Sequence, residues 1–475
     1  MQKRACLLAA VATAFVEGRC LLIRGLTAAA ILSIAAVCAL AQHASPVAET
    51  PPMGWNSWDS YGLTVTEGQF KDNVTWLDQH LKTFGWQYAV VDEGWYLANP
   101  ESGGKPAWQF VLDENGRYVP ATNRFPSAEQ DAGFKPLADY VHSLGLKFGL
   151  HIIRGIPREA VEKNLPIANS VYRAAEAADK SDTCSWNGDN YGITESPAGQ
   201  AYYDSIARLY AGWGVDFLKV DCIASRPHKE EEIRMLSMAL RRTGRPIVLS
   251  LSPGPTSLEK AAFVSRYSNM WRISDDFWDE WRNAPNSEWT PQNLHDQFAT
   301  AAVWAPYAGP GHWPDADMLP MGYLGPHPGW GEARESRLTH EEQRTMITLW
   351  SVMRSPLILG SNLTRMDDQT AALLTNPDVI AVNQHSTGNR PLLMTNRTVI
   401  WRAQPENGSG YYLAVFNLGD TPQEVALEWN ELGLTKGAKY DLRDLWERRD
   451  AGAVAALKVT VAPHGAMLYL ATEAK

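Results

Sequence analysis

Lys219 and Asp221 lie two positions apart in GVDFLKVDC (residues 214–222), a run that is otherwise largely apolar. In an extended strand, residues i and i+2 share a face. The two charges therefore point one way, and Leu218 and Val220 the other. Charge in a core is costly unless it is paired or used. The same parity joins Arg272, Ser274 and Asp276 in WRISDD, and Val90 with Asp92 in VVDEGW, where Glu93 follows. Asp315 and Asp317 lie near the end of the run HWPDADML, and Trp55, Trp58, Trp95 and Trp313 lie in strand-like runs of the same kind. Aromatic faces pack on the apolar C–H faces of a pyranose. Paired carboxylates, one acting as acid and one as nucleophile, are the machinery of glycoside hydrolysis. Structural ion pairing at strand ends explains any single one of these residues equally well. The set acts together only if the fold brings it to one place.

Eight strand-like runs carry or flank these residues: MGWNSW (53–58), YAVVDEGW (88–95), KFGLHI (147–152), DFLKVD (216–221), PIVLSLS (246–252), MWRISDD (270–276), HWPDADML (312–319) and SPLILGS (355–361). Helical patterns separate them. Thr66 and Gln69 form a capping-box pattern, Phe70, Val74, Leu77, Leu81 and Phe84 recur at helical spacing, and Gly85 ends the segment. Ser196-Pro197 opens a second helix whose apolar face is Ile206, Leu209, Tyr210 and Trp213, and Gly214 closes it. The alternation predicts a (β/α)8 barrel over 50–382, in which all strand carboxyl ends meet at one mouth. An open doubly wound sheet is the competing arrangement, but no Gly-rich phosphate loop follows the first strand. Beyond 385 the runs are short and β-rich, with turns such as ENGSG and LGD, and predict an antiparallel β-sandwich over 386–475.

The formal charge of −10 argues against a nucleic-acid partner. At the N-terminus, Lys3, Arg4, Arg19 and Arg24 precede the apolar run GLTAAAILSIAAVCALA, and Ala39-Leu40-Ala41 fits a small-x-small cleavage site. Residues 1–41 read as a signal peptide cleaved near Ala41, which places the mature chain in the periplasm or outside the cell. A membrane anchor is the alternative; the run is short for a span and polar residues follow it, so no stable membrane insertion is expected after cleavage. Cys6, Cys20 and Cys38 leave with the presequence, and only Cys184 and Cys222 remain. The 11 histidines show no H-E-x-x-H or similar spacing, so no metal and no cofactor are expected.

Six stretches, PPMGWNSW, VVDEGW, GVDFLKVDC, WRISDDFWDEW, AGPGHWPDADML and RSPLILGSNL, occur in this order at successive strand ends. On them the chain resembles glycoside hydrolase family 27, the α-galactosidase (melibiase) family, from residue 51 to about 380 and more loosely through the β-domain. The resemblance implies a retaining glycosidase with Asp221 as nucleophile and Asp276 as general acid/base. Asp275 is adjacent, and one residue of slippage exchanges the two; Asp276 is preferred because it shares parity with Arg272 and the motif aligns without a gap. The resemblance further implies a −1 sugar subsite formed by Trp55, Asp92, Glu93, Lys219, Arg272 and Asp317. Lys219⁺ beside Asp221 would favour its ionised form, and Asp92 would accept hydrogen bonds from axial and exocyclic hydroxyls. His151 ends the third strand where the family more often has tyrosine; it either hydrogen-bonds in the pocket or is a plain strand-end histidine.

Three departures bear on specificity. Glu93 stands where the commoner pattern has a second aspartate, Ser252 where α-galactosidases often carry a glutamate near the sugar's C2 substituent, and HIIRGIPREA (151–160) has no evident counterpart. Glu93 is one methylene longer than aspartate and reaches about 1 Å further toward C6. The expected substrates are terminal α-D-galactosides, with β-L-arabinopyranosides, α-N-acetylgalactosaminides and isomaltodextranase-like action as alternatives within one mechanism. A non-catalytic sugar-binding protein is the alternative of a different class; it would be marked by loss of a catalytic carboxylate, and both are present. Cys184 in the loop after the third strand and Cys222 beside Asp221 are expected to form a disulfide, two buried thiols being the alternative.

Overall fold

The computed structural model describes residues 47–101, 107–285, 290–325 and 332–474. The signal-peptide segment lies outside the described residues. Eight parallel strands form one sheet. They are β1 (Met53–Asn56), β2 (Tyr88–Val91), β3 (Lys147–Ile153), β4 (Phe217–Asp221), β5 (Val248–Leu251), β6 (Met270–Arg272), β7 (Trp313–Asp315) and β8 (Leu357–Leu359). The hydrogen-bonded order is β7-β6-β5-β4-β3-β2-β1-β8. Beyond β7 the chain bridges β8 at Leu319–Leu359, where the Leu319 N–H donates to the Ile358 carbonyl at 2.8 Å, and the ring closes. Seven strands fall within the runs expected from the sequence and β3 runs one residue past its own, to Ile153, which gives the (β/α)8 barrel.

Strand parity sorts the barrel into layers. Tyr88, Val90, Phe217, Val248, Met270 and Trp313 point inward and form one apolar plug with Val47, Ala48 and Ala308. One inward step further along the strands stand Asn56, Asp92, Lys219, Arg272 and Asp315. Leu218, Val220 and Trp271 point outward into the core shared with the helices. The apolar plug excludes water from the bottom, so the inward polar groups have access to solvent only at the mouth.

Helix α1 (Glu67–His80) opens with the Thr66–Gln69 capping box and buries Phe70, Val74 and Leu77. It stops four residues before Phe84; a separate 3₁₀ turn over Lys82–Phe84 follows and ends at Gly85, whose φ of 99° suits glycine. Helix α2 (Pro197–Trp213) is capped by Ser196, whose hydroxyl accepts from the Gly199 N–H at 3.0 Å, and ends at Gly214 in the left-handed region. Between β3 and α2 the chain builds a small three-stranded sheet from Ile156–Pro157, Ala178–Thr183 and Asn190–Ile193.

The C-terminal strands are β9 (Ser386–Met394), β10 (Thr398–Pro405), β11 (Tyr411–Asn417), β12 (Gln423–Glu428), β13 (Tyr440–Asp444), β14 (Arg449–Val454), β15 (Ala456–Val461) and β16 (Ala466–Glu473). Six form one antiparallel sheet in the order β9-β10-β11-β16-β13-β14, and β12 pairs with β15 in the second layer. Alternation decides which face meets what. Ile400, Leu413 and Val415 fill the space between the sheets with Val425, Leu457 and Val461. Their neighbours Val399, Trp401, Ala414 and Phe416 join the barrel-side core. There helix α3 (His340–Met353), buried along most of its length, lies against the larger sheet, and Thr345 Oγ1 donates to the His464 carbonyl at 2.6 Å. Among the described residues no helix is long and apolar enough to cross a membrane.

Candidate active site

At the carboxyl ends of the strands a cavity of about 150 Å³ is lined by Asp92, Glu93, Lys219, Asp221, Ser252, Arg272, Asp276 and Asp317, together with Trp58, Asp59, Trp108, Trp186, Asn187 and Trp278. Eight of the ten sugar-site residues expected from the sequence therefore converge. Among the described residues no group of three or more His, Cys, Asp or Glu side chains is arranged to hold a metal ion.

Lys219 and Asp92 form the central pair, with Nζ 2.9 Å from Oδ2. Asn56 Nδ2 donates to the same oxygen at 2.7 Å, and the Glu93 N–H donates to Oδ1 at 2.8 Å. Burial alone would raise the Asp92 carboxyl, but His151 and Lys219 outweigh it and hold it well below the usual carboxylate range. Burial likewise works against the Lys219 charge, yet Asp92 and Asp221 keep its ammonium pKa above normal. Lys219 thus donates to Asp92, and its charge also acts on Asp221 beside it. Asp221 is held by the backbone N–H of Cys222 on Oδ1, while His151 Nε2 stands 3.6 Å from Oδ2.

Arg272 organises the opposite wall. Its Nη2 reaches Asp317 Oδ2 at 2.6 Å and Asp276 Oδ1 at 3.2 Å. The Phe277 N–H also donates to Asp317 Oδ2, at 2.8 Å. Burial, Asp276 and Asp315 push the Asp317 carboxyl up to about 6 against the pull of Arg272. Asp317 has φ 83°, an uncommon backbone conformation for a residue with a side chain. Asp276 is the outermost of these acids, with its side chain 61% exposed.

Strand β6 stops at Arg272, whose carbonyl accepts from the Thr256 N–H at 3.0 Å. The parity argument for Asp276 therefore fails, because residues 273–276 are no longer strand. Asp276 nonetheless lines the cavity, and Asp275 turns outward to pair with Arg226.

Glu93 occupies the third wall. Burial, with Asp221 and Asp92 adding to it and His151 opposing, pushes its carboxyl up to about 7. Asn187 Nδ2 donates to Glu93 Oε1 at 2.7 Å. The loop that carries Asn187 is tied to the end of β4 by the Cys184–Cys222 disulfide, with Cα atoms 5.9 Å apart. HIIRGIPREA contributes Arg154, whose Nε donates to the Cys222 carbonyl at 2.7 Å while its guanidinium pairs with Asp182 and Glu232. The residue after Asp221 is thus fixed from two sides.

Two expected residues are not in the cavity. Trp55 has the wrong parity: Asn56 faces inward, and Trp55 faces α1, with its ring 5.6 Å from Phe70 and Nε1 donating to the Ser361 carbonyl at 2.7 Å. His151 is fully buried behind the cavity and acts on it through Asp92 and Asp221. Burial lowers its imidazole pKa, but these carboxylates reverse the effect and raise it. Trp95 and Trp313 are also turned away, donating to the His151 and Ala48 carbonyls. Trp58, Asp59, Trp108, Trp186, Asn187 and Trp278 were not singled out as subsite residues. Trp58 opens a helical turn just past the end of β1, beyond the reach of strand parity. Trp186 and Asn187 reach the cavity through an insertion that no periodicity announces.

A family model for alpha galactosidase A matches residues 188–385, and one for the alpha galactosidase C-terminal beta sandwich domain matches 395–471. The chain is 29% identical to an alpha-galactosidase of Cyamopsis tetragonoloba over 89% of its own length and 86% of the relative's. It is 45% identical to a family 27 β-L-arabinopyranosidase of Geobacillus stearothermophilus, whose crystal structure superposes with a TM-score of 0.83 over 90% of this chain and 97% of that one. A variant of that enzyme in complex with arabinose superposes with a TM-score of 0.84. With this similarity over nearly the whole of both chains, the protein belongs to glycoside hydrolase family 27 and is a glycosidase.

Proposed function

We propose that the protein is a retaining exo-glycosidase that prefers terminal β-L-arabinopyranosides and hydrolyses α-D-galactosides more slowly. Asp221 attacks the anomeric carbon while Asp276, protonated, donates to the leaving oxygen; a covalent glycosyl-enzyme forms. Asp276 then takes a proton from water, which displaces Asp221 with net retention. This assignment of roles requires the two carboxyl groups to stand roughly 5–5.5 Å apart in the working complex. The outer position of Asp276 suits it to meet both the departing aglycone and the incoming water. Asp92, Lys219, Arg272 and Asp317 hold the sugar hydroxyls, Ser252 lines the subsite beside them, and Trp58 offers an aromatic face.

The specificity reading is carried by one observation, the 2.7 Å hydrogen bond from Asn187 to Glu93. It holds the longer carboxylate in place and prevents it from folding back. β-L-arabinopyranose has the ring stereochemistry of α-D-galactose without the C6 hydroxymethyl group, so a fixed Glu93 crowds only the galactoside. The 45% identity to a β-L-arabinopyranosidase supports the same reading. α-Galactosidase action is the second reading, favoured by relatives of that name such as the one from Cyamopsis tetragonoloba. A panel of nitrophenyl β-L-arabinopyranoside, α-D-galactoside and α-N-acetylgalactosaminide decides: the arabinoside should have the highest kcat/KM, and a galactoside or acetylgalactosaminide above it contradicts the proposal. We further propose a catalytic barrel over 50–382, a β-sandwich over 386–475, and export after cleavage near Ala41; N-terminal sequencing of the mature protein tests the last.

A further inference from the structure

Trp186 has no part in the mechanism above, yet it lines the catalytic cavity. It is 42% exposed, and every other tryptophan among the described residues is buried or half-buried. A large apolar side chain gains from leaving water, so an indole left open at the mouth of a cavity either has a use or rides on a loose loop. The loop is not loose. Two residues before Trp186, Cys184 is bonded to Cys222. One residue after it, Asn187 is buried, donates to Glu93 Oε1 at 2.7 Å, and accepts from the Asp189 N–H through Oδ1 at 3.0 Å. The backbone that carries the ring is pinned on both sides, and its freedom is lost on folding rather than on binding.

What meets that ring follows from the barrel. The apolar plug closes the bottom, so a terminal sugar enters by the mouth and whatever carries it stays outside. Trp186, both lining and exposed, stands where the cavity opens to solvent. Past Asn187 the chain passes into the wall of a second hollow, of about 490 Å³, lined in part by Phe110, Arg158, Glu159 and Asp189. Trp108 lines the first hollow and Phe110 the second, so the two adjoin. The surface leading away from the mouth therefore mixes aromatic faces with charged groups. That mixture suits a sugar, whose C–H faces pack on rings while its hydroxyls find polar partners. An alkyl chain laid there would take Arg158 and the carboxylates out of water without replacing their hydrogen bonds.

We propose that Trp186 is the platform of a +1 subsite, on which the first sugar ring of the leaving group stacks. The substrate is then a terminal pyranoside carried on another pyranose, not on a lipid. The proposal rests on the reading of the cavity as the −1 subsite.

The test measures kcat/KM for β-L-arabinopyranosyl fluoride, which carries no aglycone, for octyl β-L-arabinopyranoside, and for β-L-arabinopyranose linked to O3, O4 or O6 of galactose. Each value is divided by that for the fluoride, so the fraction of folded enzyme and any effect confined to the −1 subsite cancel. In Trp186→Ala the ratio for the best disaccharide should fall about 3–10-fold. Trp186→Leu keeps apolar bulk without a flat face and should fall as far, whereas Trp186→Tyr should keep most of the ratio. An unchanged ratio in Trp186→Ala or Trp186→Leu, or a wild type that cleaves the fluoride and none of the disaccharides, would overturn the platform. A larger fall for the octyl glycoside than for any disaccharide would overturn the choice of a sugar. A wild type inactive on all of them, the fluoride included, instead overturns the reading of the cavity as a −1 subsite.

Discussion

Replacing Glu93 by aspartate withdraws its carboxylate by one methylene, a step of about 1 Å or more. In the protein Asn187 Nδ2 meets Glu93 Oε1 at 2.7 Å. From an unchanged backbone the shortened carboxylate would lie roughly 4 Å from that donor, beyond hydrogen-bond reach. Two consequences act in the same direction. The space that C6 needs is vacated, and the tether that kept it closed is lost. One methylene of fit is typically worth about 1–3 kcal/mol, or about 10–200-fold in kcat/KM. Glu93→Asp should therefore raise the galactoside-to-arabinoside ratio of kcat/KM by at least about tenfold, mainly through faster galactoside turnover. Initial rates on the two nitrophenyl glycosides measure this directly. An unchanged or lowered ratio would show that Glu93 does not read C6.

Asp276→Ala should lose natural glycosides but be rescued by azide on an activated substrate, giving a glycosyl azide of retained configuration, because the first step needs no acid when the leaving group is good; no rescue would count against its role. Cys184→Ser/Cys222→Ser removes a cross-link between residues 38 apart, which the chain-entropy model values at about 3–4 kcal/mol. It should also loosen Asn187 and shift specificity toward galactosides, whereas two alkylatable thiols in the unreduced denatured wild type would contradict the bridge. Burial pushes the Glu93 carboxyl up to about 7 and the Asp317 carboxyl up to about 6 in the folded protein, against about 4 when unfolded. Between these values the folded state holds more protons, so stability should fall as pH rises from about 4 to 7 and level off above. Urea unfolding near pH 5 and pH 8 should show a smaller fall for Glu93→Gln than for the wild type, and an equal fall would contradict the shifted Glu93.

The barrel was legible because its strands obey two local rules at once. The runs are apolar on outward positions, as Leu218 and Val220 show, and most end in polar or charged residues. That combination has few explanations besides a mouth lined by side chains. The rules fail where the chain leaves the ladder. Parity placed Asp276 with Arg272, although the strand had already ended; the acid reaches the cavity on the segment after β6, where its carbonyl accepts from the Gln292 N–H at 2.8 Å. Trp55 entered the subsite through the family resemblance alone, and the pleat of β1 turns it toward α1 instead. Lys219 was read beside its sequence neighbour Asp221, with which its charge interacts; its hydrogen-bond partner, Asp92 at 2.9 Å, comes from the end of β2, two strands away, and no local rule pairs them. Trp186 and Asn187 could not be read at all, because an insertion anchored by Cys184 and Arg154 brings them in. Local periodicity reports what a strand end offers, and only tertiary packing decides which loop meets it.

The claim on which the account turns is that Asp221 becomes covalently bonded to the sugar. A fluorinated β-L-arabinopyranoside with a good leaving group slows the second step and lets the intermediate accumulate. Peptide mass spectrometry of the trapped enzyme should find one sugar residue on the fragment containing Asp221, and none in Asp221→Asn. A label on a different carboxylate, or a product of inverted anomeric configuration with no label at all, would contradict the account.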